Sequence, residues 1–144
     1  NGFLQLGTTA VATTTIITSG SSRNPIVTAF GGDHATVTNA STNSKVHYKV
    51  FGASPNRVLV VEWKDIKFRY NNYSTATAGD GTFQVLLYET TGVIELKYGA
   101  MSVSTTYSTG PVIGMSNGSS MPESRSTAPM NGPTLGDIDD DIPF

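Results

Sequence analysis

The stretch that decides the fold reads RVLVVEWKDIKFRY over residues 57–70 and TFQVLLYETTGVIELKY over residues 82–98. Apolar residues alternate with polar ones in both runs, and turn residues separate the runs. This two-residue period is typical of antiparallel strands with one face on a core. The chain contains no comparable helical stretch, so the pattern predicts an all-β protein.

The first run changes its alternation part-way. Leu59, Val61 and Trp63 share one parity. The later apolar residues, Ile66, Phe68 and Tyr70, share the other. A single β-bulge near Lys64–Asp65 would return both sets to one face, and two shorter strands with a bend are the alternative. Val58 and Val60 are apolar on the opposite parity, which predicts a central strand covered on both sides at its start.

The second run predicts a β-hairpin. Residues 82–88 and 93–98 flank a four-residue loop, Glu89–Gly92, with glycine at its end. The candidates for the core face are the alternating apolar residues of the two strands: Phe83, Val85 and Leu87 opposite Ile94, Leu96 and Tyr98.

Shorter strands are expected at 3–6, 25–30, 35–38, 46–51 and 107–115. About eight strands without a helix predict a two-sheet antiparallel β-sandwich, most simply a lectin-like jelly roll. An immunoglobulin-type sandwich is the alternative, but the Cys-Trp-Cys framework is missing.

We expect residues 1–116 to form this domain. Residues 117–144, rich in Pro and Gly and acidic at 137–141, form a tail or linker, with Met121, Met130, Leu135 and Phe144 as candidates for packing along the domain.

Composition limits the classes of function. Charged residues are 14% of the chain, and 15 serines and 20 threonines replace them, as is typical of secreted β-proteins. The absence of Cys excludes disulfides and thiolate sites. A net charge of −2 without a basic stripe argues against nucleic acid as a partner.

No apolar run reaches the roughly 20 residues of a membrane span, so no membrane insertion is expected. The chain starts without Met, and we expect it to be a piece of a longer polypeptide.

Catalytic chemistry has little support in the sequence, and we predict that the chain is not an enzyme. Glycoside hydrolysis needs two carboxylates facing one cleft, whereas Glu89 falls in the hairpin loop and Glu95 on its solvent side. Glu62, beside Trp63, is the best single candidate. His34 follows Gly31-Gly32-Asp33 in a predicted loop and would need further ligands from elsewhere to hold a metal.

No cofactor is predicted, and no metal-binding residue is assigned. Structural calcium is an open alternative, because Asp33, Asp80 and the 137–141 run supply hard oxygen donors. None of them has the spacing of a calcium-binding loop.

Sugar binding would use an aromatic face against the pyranose ring, with amide and carboxylate groups for its hydroxyls. The predicted ligand-binding residues of this kind are exposed or near the 71–81 loop: Tyr70, Asn72, Tyr73, Asp80 and Tyr107. For Tyr70, the last core residue of its strand is the competing interpretation.

Several motifs resemble those of a β-sandwich module in large secreted surface proteins of bacteria that use type IX secretion. These motifs are NGFLQLG at 1–7, ASPNRV at 53–58, EWK at 62–64 and the hairpin sequence at 83–99. The resemblance implies an extracellular, cell-surface location and an adhesive or substrate-binding role, and it supplies no catalytic residue. Separately, DDDIPF at 139–144 resembles the acidic tip of bacterial single-stranded-DNA-binding proteins, but the body lacks the basic groove with stacking aromatics that strand binding requires.

These observations predict an extracellular, non-catalytic binding or adhesion module. Its partner would be a glycan or a neighbouring surface protein. The alternative is a structural subunit or spacer of a surface filament, in which copies of the chain assemble by exchanging strands or tails.

Overall fold

A computed structural model describes residues 2–7, 25–39, 43–68, 74–102 and 112–116. Within these ranges there is no helix, and the strands form two antiparallel sheets packed against each other. This confirms the predicted β-sandwich, and its jelly-roll connectivity stays a prediction. The strands are β1 (Phe3–Gln5), β2 (Ile26–Gly31), β3 (His34–Thr36), β4 (Lys45–Phe51), β5 (Val58–Phe68), β6 (Gly81–Tyr88), β7 (Ile94–Met101) and β8 (Val112–Ser116).

The larger sheet is built around β5. Along one edge of β5, β4 pairs with residues 58–64 and β3 pairs with residues 66–68, so that β3 and β4 lie end to end. Along the other edge lies β6, followed by β7. Strand β5 is therefore central, as its apolar residues of both parities predict.

The smaller sheet has the order β1-β2-β8 and packs on the larger one through β2. Strand β2 is buried along its whole length. The hydroxyl of Tyr98 in β7 donates a hydrogen bond to the carbonyl of Ala29 in β2, at 2.6 Å. Burial raises the pKa of Tyr98 to about 12, so this hydroxyl stays a donor at physiological pH and links the two sheets.

Aromatic rings fill the centre of the core. Phe83 is fully buried and stacks on Trp63, with ring centroids 5.1 Å apart and an interplanar angle of 15°. The ring centroid of Phe30 lies 5.8 Å from that of Phe83 and 4.5 Å from that of Phe68. Because each buried aromatic residue removes about 150–250 Å² from water, this cluster supplies a large part of the hydrophobic stabilisation.

The predicted bulge in β5 is confirmed. The pairing of β5 with β6 skips between Trp63 and Ile66, and Asp65 has φ = 51°. Its side chain holds this backbone conformation, because a carboxylate oxygen of Asp65 accepts a 2.8 Å hydrogen bond from the amide of Gly79. A Cβ on Gly79 would lie 2.1 Å from the carbonyl oxygen of Asp65, so only glycine allows this approach. The bulge returns Ile66 and Phe68 to the core face used by Trp63.

The predicted hairpin is also confirmed. Phe83, Val85 and Leu87 pair with Tyr98, Leu96 and Ile94. All six belong to the core or pack against it. The loop closes with Gly92 at φ = 65°, whose amide donates to the carbonyl of Tyr88 at 2.9 Å. Glycine fits here because it adopts positive φ without a Cβ penalty.

Some sequence predictions change or lie outside the described residues. Strand β3 starts at His34, which corrects its predicted position in a loop, because its pairing with Phe68 extends β3 by one residue. The described part of the last strand starts at Val112. The tail at 117–144, and with it the proposed domain boundary, lies outside the described residues and stays a prediction.

Candidate binding surface

Of the predicted ligand-binding residues, the structure describes Asp80 alone. The other four, Tyr70, Asn72, Tyr73 and Tyr107, lie outside the described residues, so their role stays a prediction. Asp80 holds the end of β5: its carboxylate accepts hydrogen bonds from Lys67 Nζ at 2.5 Å and from the Phe68 amide at 2.8 Å. Its own amide donates to the carbonyl of Ile66 at 2.8 Å. This arrangement fixes the loop that precedes β6, and its role in ligand binding remains a prediction.

Strand β4 carries an exposed apolar surface. Val46, Tyr48 and Val50 are 49%, 67% and 50% exposed, and we call these three residues the β4 stripe. They pair with Trp63, Val61 and Leu59 and therefore share the inner face of the larger sheet with the core. Strand β2 of the smaller sheet contacts β5, β6 and β7. The exposed fractions of the stripe show that, within the described ranges, the smaller sheet does not cover β4. The stripe is thus a continuation of the core face that remains in contact with solvent.

Strand β4 carries basic side chains on the face of the larger sheet opposite the stripe. Lys45 and Lys49 alternate with the stripe residues, and Lys64 pairs with Lys45 across the strands. The ammonium of Lys49 lies 5.1 Å from the ring centroid of Phe51. Because side chains alternate between the two faces along a strand, these lysines lie on the face that carries His47 and Glu62, opposite the stripe.

The loops beside this surface are held in place by polar contacts. The guanidinium of Arg57 bridges both carboxylate oxygens of Glu89, at 2.9 and 2.5 Å. This ion pair lowers the pKa of Glu89 to about 2. Thr90 donates a hydrogen bond to the carbonyl of Pro55. These contacts tie the β4–β5 loop to the hairpin, so that the end of the stripe adjoins an ordered surface.

The opposite face of the larger sheet contains a buried polar row formed by His47, Glu62 and Gln84. Nε2 of His47 lies 2.5 Å from one carboxylate oxygen of Glu62, and Gln84 donates to the other at 2.7 Å. All three side chains are buried. Both oxygens of Glu62 are thus engaged within the sheet, and the residue is 2% exposed. The row therefore holds β4, β5 and β6 together.

The ring of His34 lies in an aromatic pocket between the sheets. Its centroid is 5.5 Å from that of Phe30 and 5.2 Å from that of Phe68. Because the Phe30 carbonyl, 2.7 Å from Nε2, can only accept a hydrogen bond, Nε2 carries the proton. Nδ1 is buried without a hydrogen-bond partner. Burial lowers the pKa of His34 to about 4, so the imidazole is neutral at physiological pH.

Metal binding finds no support in the part of the chain that is described. No group of three or more His, Cys, Asp and Glu side chains there is arranged to hold an ion. None of the described residues belongs to a helix with the length and hydropathy needed to cross a membrane.

Residues 1–135 match the sequence profile of the family described as NIDO related. The chain belongs to the NIDO-related family. Membership makes it a module of the extracellular type, and it does not connect the chain to type IX secretion. No curated protein and no solved structure matches the chain.

Sequence reasoning missed the β4 stripe as a binding surface. The alternation over 46–51 places Val46, Tyr48 and Val50 on one side of the strand, as a core-facing set would be. They remain exposed because the described part of the smaller sheet packs over β5, β6 and β7 and does not extend over β4. The sequence does contain one signal. The β4 positions that alternate with the stripe residues carry polar and cationic side chains, which is typical of an edge strand.

Proposed function

We propose that this NIDO-related chain is an extracellular, non-catalytic adhesion module that binds a protein of a neighbouring cell surface through the β4 stripe. This proposal depends on the exposure of Val46, Tyr48 and Val50. They lie on a regular strand, on the face of the larger sheet that elsewhere forms the core. Adjacent apolar residues exposed on an ordered scaffold are typical of interaction sites, and tyrosine is enriched among residues that dominate binding energy.

The chemistry of the stripe favours a protein partner over a sugar. A bound pyranose needs hydrogen-bonding groups for its hydroxyls beside the aromatic face. The cross-strand neighbours of Tyr48 and Val50 on this face are Val61 and Leu59, which are both apolar. The stripe therefore complements an apolar protein surface. Carbohydrate binding through Tyr73 and its neighbours is a separate hypothesis with its own test.

Support for a non-catalytic role comes from the polar row. Glu62, the best single candidate for an acid or base in the sequence, is buried and accepts hydrogen bonds from His47 and Gln84. Support for an extracellular role comes from the family and from a composition poor in charge and rich in Ser and Thr.

The test is binding of the fluorescently labelled chain to intact cells of the producing organism. Tyr48→Ser removes the aromatic centre of the stripe, and Met115→Ser is the matched control, because Met115 is 57% exposed on the smaller sheet. We expect Tyr48→Ser to weaken binding at least about fivefold, which corresponds to about 1 kcal/mol. Met115→Ser should bind like the wild type.

Protease treatment of the cells should abolish binding if the partner is a protein. Equal binding by wild type and Tyr48→Ser, with both folded by circular dichroism, would refute the proposal. On a glycan array, retention that is lost in Tyr73→Ala and kept in Tyr48→Ser would favour the carbohydrate hypothesis.

A further inference from the structure

The backbone of β4 has a direction that follows from the hydrogen bonds of its neighbour β5. In an antiparallel sheet, the N–H and C=O of one residue point to the same side of the strand, and successive residues alternate between the two sides. The amide of Glu89 donates a 2.9 Å hydrogen bond to the carbonyl of Arg57, so the backbone of Arg57 faces β6. The backbone of the next residue, Val58, therefore faces β4, as do those of the even-numbered residues that follow up to Lys64.

The stripe residues consequently direct their backbone groups away from β5. The partners of the even-numbered β5 residues are the odd-numbered residues of β4, from Lys45 to Phe51. The N–H and C=O groups of Val46, Tyr48 and Val50 lie on the other side of the strand. Within the described ranges, no strand pairs with β4 on that side. The stripe therefore combines exposed apolar side chains with a row of backbone donors and acceptors, which is a template for another strand.

A strand added along this edge would meet different chemistry on its two faces. Directly opposite residues of paired strands lie on the same face of the sheet. The side chains opposite Val46, Tyr48 and Val50 would continue the apolar inner face. Those opposite Lys45 and Lys49 would lie on the outer face, where lysines favour carboxylates across the strands. The sequence that fits both faces therefore alternates apolar and acidic residues.

The charge on β4 disfavours a second copy of this chain as the added strand. Strand β4 reads KVHYKVF and contains no carboxylate, and Lys64 pairs with Lys45 on the same outer face. Two copies joined through β4 would bring further lysines together without a carboxylate from either strand. Lysine on an edge strand disfavours this kind of self-pairing. With an acidic strand from another protein, the same charges attract.

We propose that β4 binds its surface partner by strand addition: an extended segment of the partner, alternating apolar and acidic residues, pairs with the outward edge of β4 and covers the stripe. This inference rests on the proposed function, because it specifies how the same surface binds. The backbone hydrogen bonds would supply affinity, and the alternating side chains would supply specificity.

Amide hydrogen exchange measured by NMR on the isotope-labelled full chain tests the direction of the backbone. In the chain without a partner, we expect the amides of Tyr48 and Val50 to exchange at least about tenfold faster than those of His47 and Lys49, which bond to β5. The probe for strand addition is a seven-residue peptide that alternates Glu and Val, with Glu at both ends. It matches the length of β4 and fits the edge in either direction. It should slow exchange at the stripe residues.

Two peptides serve as controls for sequence. One has the same composition with its three Val residues adjacent, and the other has Lys in place of Glu. The alternating Glu/Val peptide should bind at least about tenfold more tightly than either control, which corresponds to about 1.4 kcal/mol.

A matched pair of variants tests the role of the backbone. Val50→Pro removes an outward N–H and leaves the hydrogen bonds to β5 in place, because proline is tolerated on an edge strand where its nitrogen faces away from the ladder. Val50→Ile keeps both the N–H and an apolar side chain. We expect Val50→Pro to lose at least about tenfold in affinity for the alternating peptide, and Val50→Ile to bind it like the wild type. Circular dichroism checks that both variants fold, and if Val50→Pro does not, exchange in the wild type decides.

Equal binding of the alternating peptide and the rearranged one would overturn the inference, as would unchanged exchange at the stripe residues. Protection of these amides that rises with protein concentration without peptide would also overturn it, in favour of a second copy. Cell binding that falls in Tyr48→Ser and is kept in Val50→Pro would refute strand addition alone and leave the proposed function intact. Equal cell binding by wild type and Tyr48→Ser would refute the proposed function, whatever the peptides show.

Discussion

His34 should make the stability of this domain fall as the solution becomes acidic. The imidazole is neutral in the folded protein, where its ring lies among Phe30, Phe68 and Phe83. Protonation would place a charge in this pocket, and Nδ1–H would have no acceptor there. Burial is the largest effect on the pKa, and the hydrogen bond with the Phe30 carbonyl and the charge of Asp33 offset it only in part.

The expected magnitude follows from the two pKa values. In the unfolded chain His34 has its ordinary pKa of 6.5, and in the folded protein the pKa is about 4. The unfolded state therefore binds more protons below pH 6.5, so the free energy of unfolding decreases as pH falls. This contribution is complete above pH 6.5 and is lost progressively down to about pH 4. At 1.36 kcal/mol for each pKa unit, the total loss is about 3 kcal/mol.

Urea denaturation followed by tryptophan fluorescence measures this loss. Trp63 is the single tryptophan of the chain and is buried in the core, so its emission reports unfolding. The free energy of unfolding is measured between pH 7.5 and pH 4 for the wild type and for His34→Phe. The variant keeps an aromatic ring in the pocket and cannot titrate. It should lose about 1 kcal/mol at pH 7, because the Phe30 carbonyl loses its donor.

The decisive quantity is the difference between the two pH profiles, since carboxylates titrate in both proteins. We expect the wild-type curve to fall by about 3 kcal/mol more than the His34→Phe curve between pH 7 and pH 4. Parallel curves over this range would show that His34 is not held neutral by the fold, and the reasoning from its burial would be wrong.

Substitutions at three further residues test the core, the bulge and the polar row by the same denaturation assay. Phe83→Ala should cost about 3–5 kcal/mol, because it leaves a cavity in the aromatic core; a loss below 1 kcal/mol would contradict the packing. Asp65→Ala should cost about 1–3 kcal/mol and Asp65→Asn clearly less, because Asn retains an acceptor for the Gly79 amide and tolerates positive φ. Glu62→Ala should cost about 3 kcal/mol, because it leaves His47 buried without its carboxylate; an unchanged midpoint would refute the role of the row.

Local chemistry in the sequence accounts for the parts of the fold that could be predicted. The change of parity between Trp63 and Ile66 predicts the bulge, because a buried face cannot switch sides within one strand. Gly92 predicts the hairpin turn, because the loop needs a positive φ there. Both features depend on residues close together in the chain.

The candidate surface could not be predicted in the same way, because it depends on contacts between distant strands. The exposure of Tyr48 follows from where β2 packs on the larger sheet. The burial of Glu62 follows from its pairing with His47 and Gln84, which are 15 and 22 residues away. The preceding Gly31-Gly32-Asp33 is typical of a turn and predicts a loop at His34. Its pairing with Phe68 makes it instead the first residue of β3.

The arrangement of β1 and β8 has a mechanical consequence. Both strands run antiparallel to β2, so Phe3 lies beside Thr28 while Ser116 lies beside Ile26. Tension applied ahead of β1 and beyond β8 would pull these strands lengthwise in opposite directions past β2. Their ladder hydrogen bonds would then share the load and break together instead of opening one after another. A pulling force along the chain therefore meets the smaller sheet in its most resistant direction.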